Sequence, residues 1–154
     1  DEMLASDQVA LDIEAPTIAA TISAAGPRLK WKDRLPEGWT TARLTRELQN
    51  REAALSTYVG HGVAIPHVRI EGLTRPLIGL VRSVRGLPVP GRSSEARLLF
   101  VVLTPAAVAR LQLRILARLA HLLESDYVIE RLLAAETSAE ALEVISAADH
   151  TVGG

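Results

Sequence analysis

Histidine is the residue type in this chain best suited to reactive chemistry, and there are four: His61, His67, His121 and His150. The chain has no cysteine, which removes thiol nucleophiles, disulfide frameworks and Cys-based zinc sites together. His61 and His67 stand six positions apart, not at the one-face helical spacing of a zinc motif, so no metal site is expected. His121 falls on the polar stripe of a helical pattern, where a solvated surface role is the expectation, and His150 falls in an expected tail. His67 differs, because it follows a short apolar run (Val63, Ala64, Ile65) and the rigid Pro66, where the chain must turn. Ligands and reacting groups gather at strand ends of this kind in α/β sheets. Phosphoryl transfer to imidazole needs one ring nitrogen unprotonated and the other held by a hydrogen bond that fixes the tautomer. It also needs donors around the transferred oxygens. Arg51, Ser56 and Thr57 come just before the strand and supply such donors if the helix end folds beside the strand end. Spacing alone leaves His67 open between this role and that of a structural loop histidine.

The elements that would position these groups can be read from periodicity and punctuation. Residues 8–13 read as a short strand. Residues 16–25 read as a helix capped by Thr17 and ended by Gly26 and Pro27. Residues 27–40 form a polar connection. A second helix covers residues 41–55, with Leu44, Leu48 and Leu55 on its buried side. Glycines on both sides of His61 imply an unusual backbone path before the strand at residues 63–65. Residues 77–81 and 98–103 are apolar, β-branched runs suited to central strands covered on both faces. Between them, residues 86–91 read as a small edge strand or a loop, and residues 92–95 as a turn. The last third is helical. Residues 105–123 place Val108, Leu111, Ile115, Leu119 and Leu122 on one stripe, with Arg110, Arg114, Arg118 and His121 on another. A further helix spans residues 127–135, and Thr137 with Glu140 forms a capping box for a last one, ending near residue 147. The pattern is that of a three-layer α/β domain with a mostly buried sheet.

Composition narrows the function classes. At 154 residues the chain suits a single domain with a real core at about residues 8–147, leaving tails at 1–7 and 148–154. Aromatic residues make up only 3%, are scattered, and offer no stacking surface for bases; the formal charge of -1 likewise argues against a nucleic-acid partner. No apolar run is long enough to span a bilayer, and acidic residues stand where the basic region of a signal peptide belongs. Together with the missing cysteines, this fits a cytoplasmic protein that does not itself span the membrane. The chain starts at Asp1, as a piece cut from a longer protein would.

One stretch carries a more specific signal. Arg51-Glu52, then Ser56-Thr57, then Gly62-Val63-Ala64-Ile65-Pro66-His67 resembles the active-site signature of the fructose/mannitol/nitrogen-regulatory type of phosphotransferase system enzyme IIA, the EIIA type-2 domains. The likeness extends over roughly residues 8–147. It implies an α/β sandwich around a mixed β-sheet, of the kind shared by phosphotransferase and anion-transport proteins. It further implies that His67 accepts phosphate from an HPr-type phosphocarrier protein, that Arg51, Ser56 and Thr57 line the pocket, and that no cofactor is needed. Sugar-specific members hand the group to a cysteine of a IIB domain, whereas nitrogen-type members signal by binding other proteins, potassium transport systems among them. Family members carry a second histidine at the start of the long helix, just before a leucine; here Gln112 precedes Leu113 and joins the pocket without a titratable ring. Residues 28–39 are also longer and more irregular than in the family. These departures favour regulation over sugar uptake. The alternative is a non-phosphorylated regulatory or ligand-binding module of the same fold, attached to or acting on a membrane transporter.

Overall fold

The most apolar stretches of the chain become its two central strands. In the computed structural model, which describes residues 8–153, the elements run β1 (Val9–Ile13), α1 (Ile18–Ala25), α2 (Thr41–Ala54), β2 (Tyr58–Gly60), β3 (Val63–Ala64) and β4 (His67–Ile70). They continue as β5 (Leu77–Pro88), β6 (Glu95–Pro105), α3 (Ala109–Leu122), α4 (Asp126–Ala134) and α5 (Ser138–Gly153). The strands form one mixed sheet of order β1-β5-β6-β3-β2, with β4 also pairing with β6. β1 is parallel to β5, and β3 and β4 are parallel to β6; the pairs β5–β6 and β2–β3 are antiparallel.

Side-chain alternation divides the interior into two cores. Leu99, Val101 and Leu103 of β6 point to the face covered by α1 and α2, where Ile18, Ile22, Leu44 and Leu48 meet them. Leu98, Phe100 and Val102 point to the opposite face, against Ile115, Leu119, Val128 and Leu132 of α3 and α4. Each such side chain removed from water contributes about 1.5–3 kcal/mol, so the double-sided burial of β5 and β6 dominates the stability. The result is the expected three-layer α/β/α sandwich. Local signals behave as read: Thr17 Oγ1 accepts the amide of Ala20 at 3.1 Å, and Thr137 Oγ1 accepts that of Glu140 at 3.1 Å. The Glu140 carboxylate reaches back to the amide of Glu136 at 3.0 Å, one residue before the cap.

Several expectations are corrected. Both central strands are longer than their apolar runs, and residues 86–88 continue β5 to pair with the start of β6. The extension was hidden by its charges. Arg82 is buried at 6% exposure, yet its guanidinium donates to the carbonyls of Leu132, Leu133 and Ala135 at 3.0, 3.2 and 2.6 Å and to Asp12 at 3.0 Å. It thus neutralises the negative end of α4. The connection at residues 27–40 is not merely polar: it forms two 3₁₀ turns (Gly26–Leu29 and Lys32–Arg34) and buries Leu29 and Trp31 against β5. Leu55 is 78% exposed, because α2 ends at Ala54 and Leu55 already has extended backbone at φ −156°. Pro105 closes β6 and does not open a helix, and α5 continues to Gly153, past the expected end near residue 147. The expected tail at residues 1–7 and the side chain of His150 lie outside what the structure describes.

Candidate functional site

His67 is delivered to its place by a break in a strand. β3 and β4 follow one another along the same edge of β6, Val63 opposite Leu98 and His67 opposite Val102, with Ile65 and Pro66 between them. Pro66 has no amide hydrogen to give the ladder. Its carbonyl accepts from Val102 N at 2.9 Å, while the amide of Ile65 turns the other way and donates to the carbonyl of Thr57 at 3.1 Å. The Ile65 carbonyl is left to the imidazole: His67 Nδ1 lies 2.7 Å from it. A carbonyl oxygen only accepts, so Nδ1 carries a proton, and in the neutral ring the lone pair is then on Nε2. This is the fixed tautomer that a nucleophilic imidazole requires.

The opposite wall comes from the end of α2. After the cap at Leu55 the chain turns through Ser56, whose Oγ accepts the amide of Tyr58 at 3.3 Å. Glu52 reaches forward from the last turn of the helix and takes both donors of Thr57, the amide at 3.0 Å and the hydroxyl at 2.6 Å. The β2–β3 hairpin then turns through Gly60, His61 and Gly62, all at positive φ (96°, 56° and 77°). The flanking glycines make that path accessible. Tyr58 braces it by accepting the amide of Gly62 on its hydroxyl at 3.1 Å.

Arg51, Ser56, Thr57 and His67 line one cavity of about 660 Å³, closed on the far side by Leu113, Leu116, Ala117 and Ala120 of α3. Four of the five expected site residues therefore converge. Gln112 is not among the lining residues; its Oε1 is buried and has no hydrogen-bond partner among the described residues. Arg51 makes no ion pair among the described residues, leaving its charge available at the wall. Thr57 contributes less than expected, since Glu52 already holds both its donors. The apolar part of the wall, with Leu55 and Leu113 at 78% and 69% exposure, was not anticipated. Nothing local in the sequence distinguishes an exposed leucine at a cavity rim from one in the core.

The remaining histidines stand apart. His61 Nδ1 lies 3.8 Å from Asp126 at the start of α4, in an exposed pair. His121 lies on the exposed face of α3, at the edge of a separate cleft of about 700 Å³ that also includes Tyr127 and Arg131. Among the described residues no three His, Asp or Glu side chains are grouped to hold a metal ion, and no helix is long and apolar enough to cross a membrane.

Residues 2–148 match the family model described as phosphoenolpyruvate-dependent sugar phosphotransferase system, EIIA 2. A fructose-specific EIIA component of a phosphotransferase system from Haloferax volcanii is 34% identical over 100 residues, covering 64% of this chain. The match spans only 65% of that relative's own length. A nitrogen regulatory protein from Pseudomonas aeruginosa is 34% identical over 116 residues, covering 70% of each chain. In three dimensions the fold resembles that of the nitrogen regulatory protein IIA-Ntr from Neisseria meningitidis, with a TM-score of 0.81 at 24% identity over 93% of this chain and 96% of the other.

Proposed function

This chain belongs to the phosphoenolpyruvate-dependent sugar phosphotransferase system EIIA 2 family, and from that premise we propose that His67 accepts a phosphoryl group on Nε2 from an HPr-type phosphocarrier protein. The observation that carries the reading is the 2.7 Å contact between His67 Nδ1 and the Ile65 carbonyl. It leaves the Nε2 lone pair to attack phosphorus while the donor's phosphorus–nitrogen bond breaks and its electron pair returns to the donor imidazole. The Nδ1 proton stays on His67, and the Ile65 carbonyl holds it as positive charge develops on the ring. Arg51 offers a planar guanidinium and Ser56 a hydroxyl to the phosphoryl oxygens. The exposed leucines at the rim supply an apolar docking surface for the carrier. The domain acts in the cytoplasm, more in regulation than in sugar uptake, and passes its state to a IIB domain or a membrane transporter.

The test uses phosphoenolpyruvate, enzyme I and HPr-type carriers of both branches. The expected result is an acid-labile mass gain of one phosphoryl group, absent in His67→Ala. No gain on a folded domain, with a family member phosphorylated in parallel, overturns the proposal.

Gln112 supports a second reading. The α3 wall offers apolar side chains to the cavity where relatives of this type are expected to bring a second histidine. In that reading the domain is a non-phosphorylated regulatory module, and its binding to a transporter or small ligand survives replacement of His67 by Ala.

A further inference from the structure

We infer that Glu52 is a positioning residue for His67, acting through Thr57 and Ile65 to fix the imidazole tautomer. The connection is continuous on the page. Glu52 accepts the amide and hydroxyl of Thr57 at 3.0 and 2.6 Å. The carbonyl of the same Thr57 accepts the Ile65 amide at 3.1 Å, and the Ile65 carbonyl accepts Nδ1–H of His67 at 2.7 Å. The peptide that orients the imidazole is thus pinned at its next carbonyl by Val102, through Pro66, and at its amide by the Thr57 segment. Only the second anchor depends on a side chain. Without Glu52 the Ser56–Thr57 turn has no side-chain hydrogen bond to α2 among the described residues, so the Ile65 carbonyl loses its fixed direction toward the ring.

The same pair has a second effect. Both Thr57 donors are already bonded to a carboxylate, so a group bound at His67 must compete with Glu52 for them. Arg51 and Ser56 are left as the polar groups of that wall. Both oxygens of Glu52 are engaged by Thr57. Its role is geometric. This second effect, and the kinetic consequence below, rest on the phosphoacceptor reading of His67; the tautomer effect does not.

The experiment reads the ring directly. Nitrogen-15 NMR of His67 in the full chain, at a pH about 1.5 units above the ordinary histidine range, distinguishes a fixed Nδ1–H ring from an exchanging one. The wild type is expected to show one protonated and one lone-pair nitrogen, widely separated. In Glu52→Ala the two resonances move toward each other, and any phosphorylation by an HPr-type carrier slows by about tenfold, the scale of one lost charge-assisted hydrogen bond. Glu52→Gln restores the separation, because its amide still accepts from the Thr57 amide and bonds the hydroxyl. Should Glu52→Ala lose its fold, Thr57→Val reads the same link with half of it removed. A folded Glu52→Ala or Thr57→Val whose His67 keeps its separated resonances overturns the inference, as does a wild-type ring without the Nδ1–H form. If the resonances behave as expected but no variant or wild type takes up phosphate, the proposed function fails and the positioning role stands.

Discussion

Between Arg51 and His67 the chain assembles the proposed acceptor and its polar surroundings from groups that are individually ordinary. Arg51 is exposed on the last turn of α2 and has no carboxylate partner among the described residues. Exchanging it for Gln removes a charge without leaving a hole, so stability should stay within about 0.5 kcal/mol. The proposed phosphoryl transfer to His67 should nevertheless slow by about 10²-fold, the scale of one lost charge-stabilising donor. A time course of mass gain beside a urea titration checks both halves; equal rates in the two proteins would remove Arg51 from the pocket. Glu52 belongs to the same scale, but its effect reaches the imidazole only through backbone.

The elements are joined by contacts that sequence periodicity does not report. Arg82 ties β5 to the carbonyl end of α4 and to Asp12 of β1, and its guanidinium is buried while Asp12 is 67% exposed. The two partners should respond very differently. Arg82→Leu leaves buried carbonyls unsatisfied and should cost about 3 kcal/mol. Asp12→Asn gives up only an exposed charge pair and should cost under about 1 kcal/mol; asparagine also tolerates the positive φ of 59° at that position. Urea midpoints of the two variants measure the difference, and similar losses would mean that the ion pair, not the helix carbonyls, is what Arg82 serves. The same lesson applies to the hairpin before His67. The glycines around His61 announce the turn in the sequence, whereas the brace from the Tyr58 hydroxyl to Gly62 is visible only once β2 and β3 are paired.

On the scale of the whole molecule, the segment between α1 and α2 is part of the core. A Cβ added at Gly79 would lie 2.7 Å from Trp31 Cζ2, so this strand position accepts no side chain while the indole is in place. Gly79→Ala should therefore destabilise the fold by about 1–3 kcal/mol through displacement of Trp31. Tryptophan fluorescence during denaturation follows that displacement. An unchanged midpoint and emission would show that the segment packs loosely. The site depends on the same assembly, since its walls come from α2, the β2–β4 edge and α3, elements brought together only by the sheet and the two cores.

What the sequence determined by itself was local. Thr17 and Thr137 mark helix starts because a hydroxyl before an apolar helical pattern meets amides three residues away. The apolar runs mark central strands because both faces must be buried, and the string from Arg51 to His67 identifies the family because it is compact and specific. Tertiary structure decided everything that depends on what lies opposite. It set Leu55 in solvent at the cavity rim, turned Arg82 inward to carbonyls some fifty residues away, and closed Glu52 onto Thr57. It also put Leu113, Leu116, Ala117 and Ala120 on the cavity wall and left Gln112 off it, because a helix turns about 100° per residue. Neighbours in the chain therefore face different surroundings. The residues that orient His67 are selected by backbone direction and hydrogen-bond geometry across the fold, and neither quantity is written in residue type or spacing.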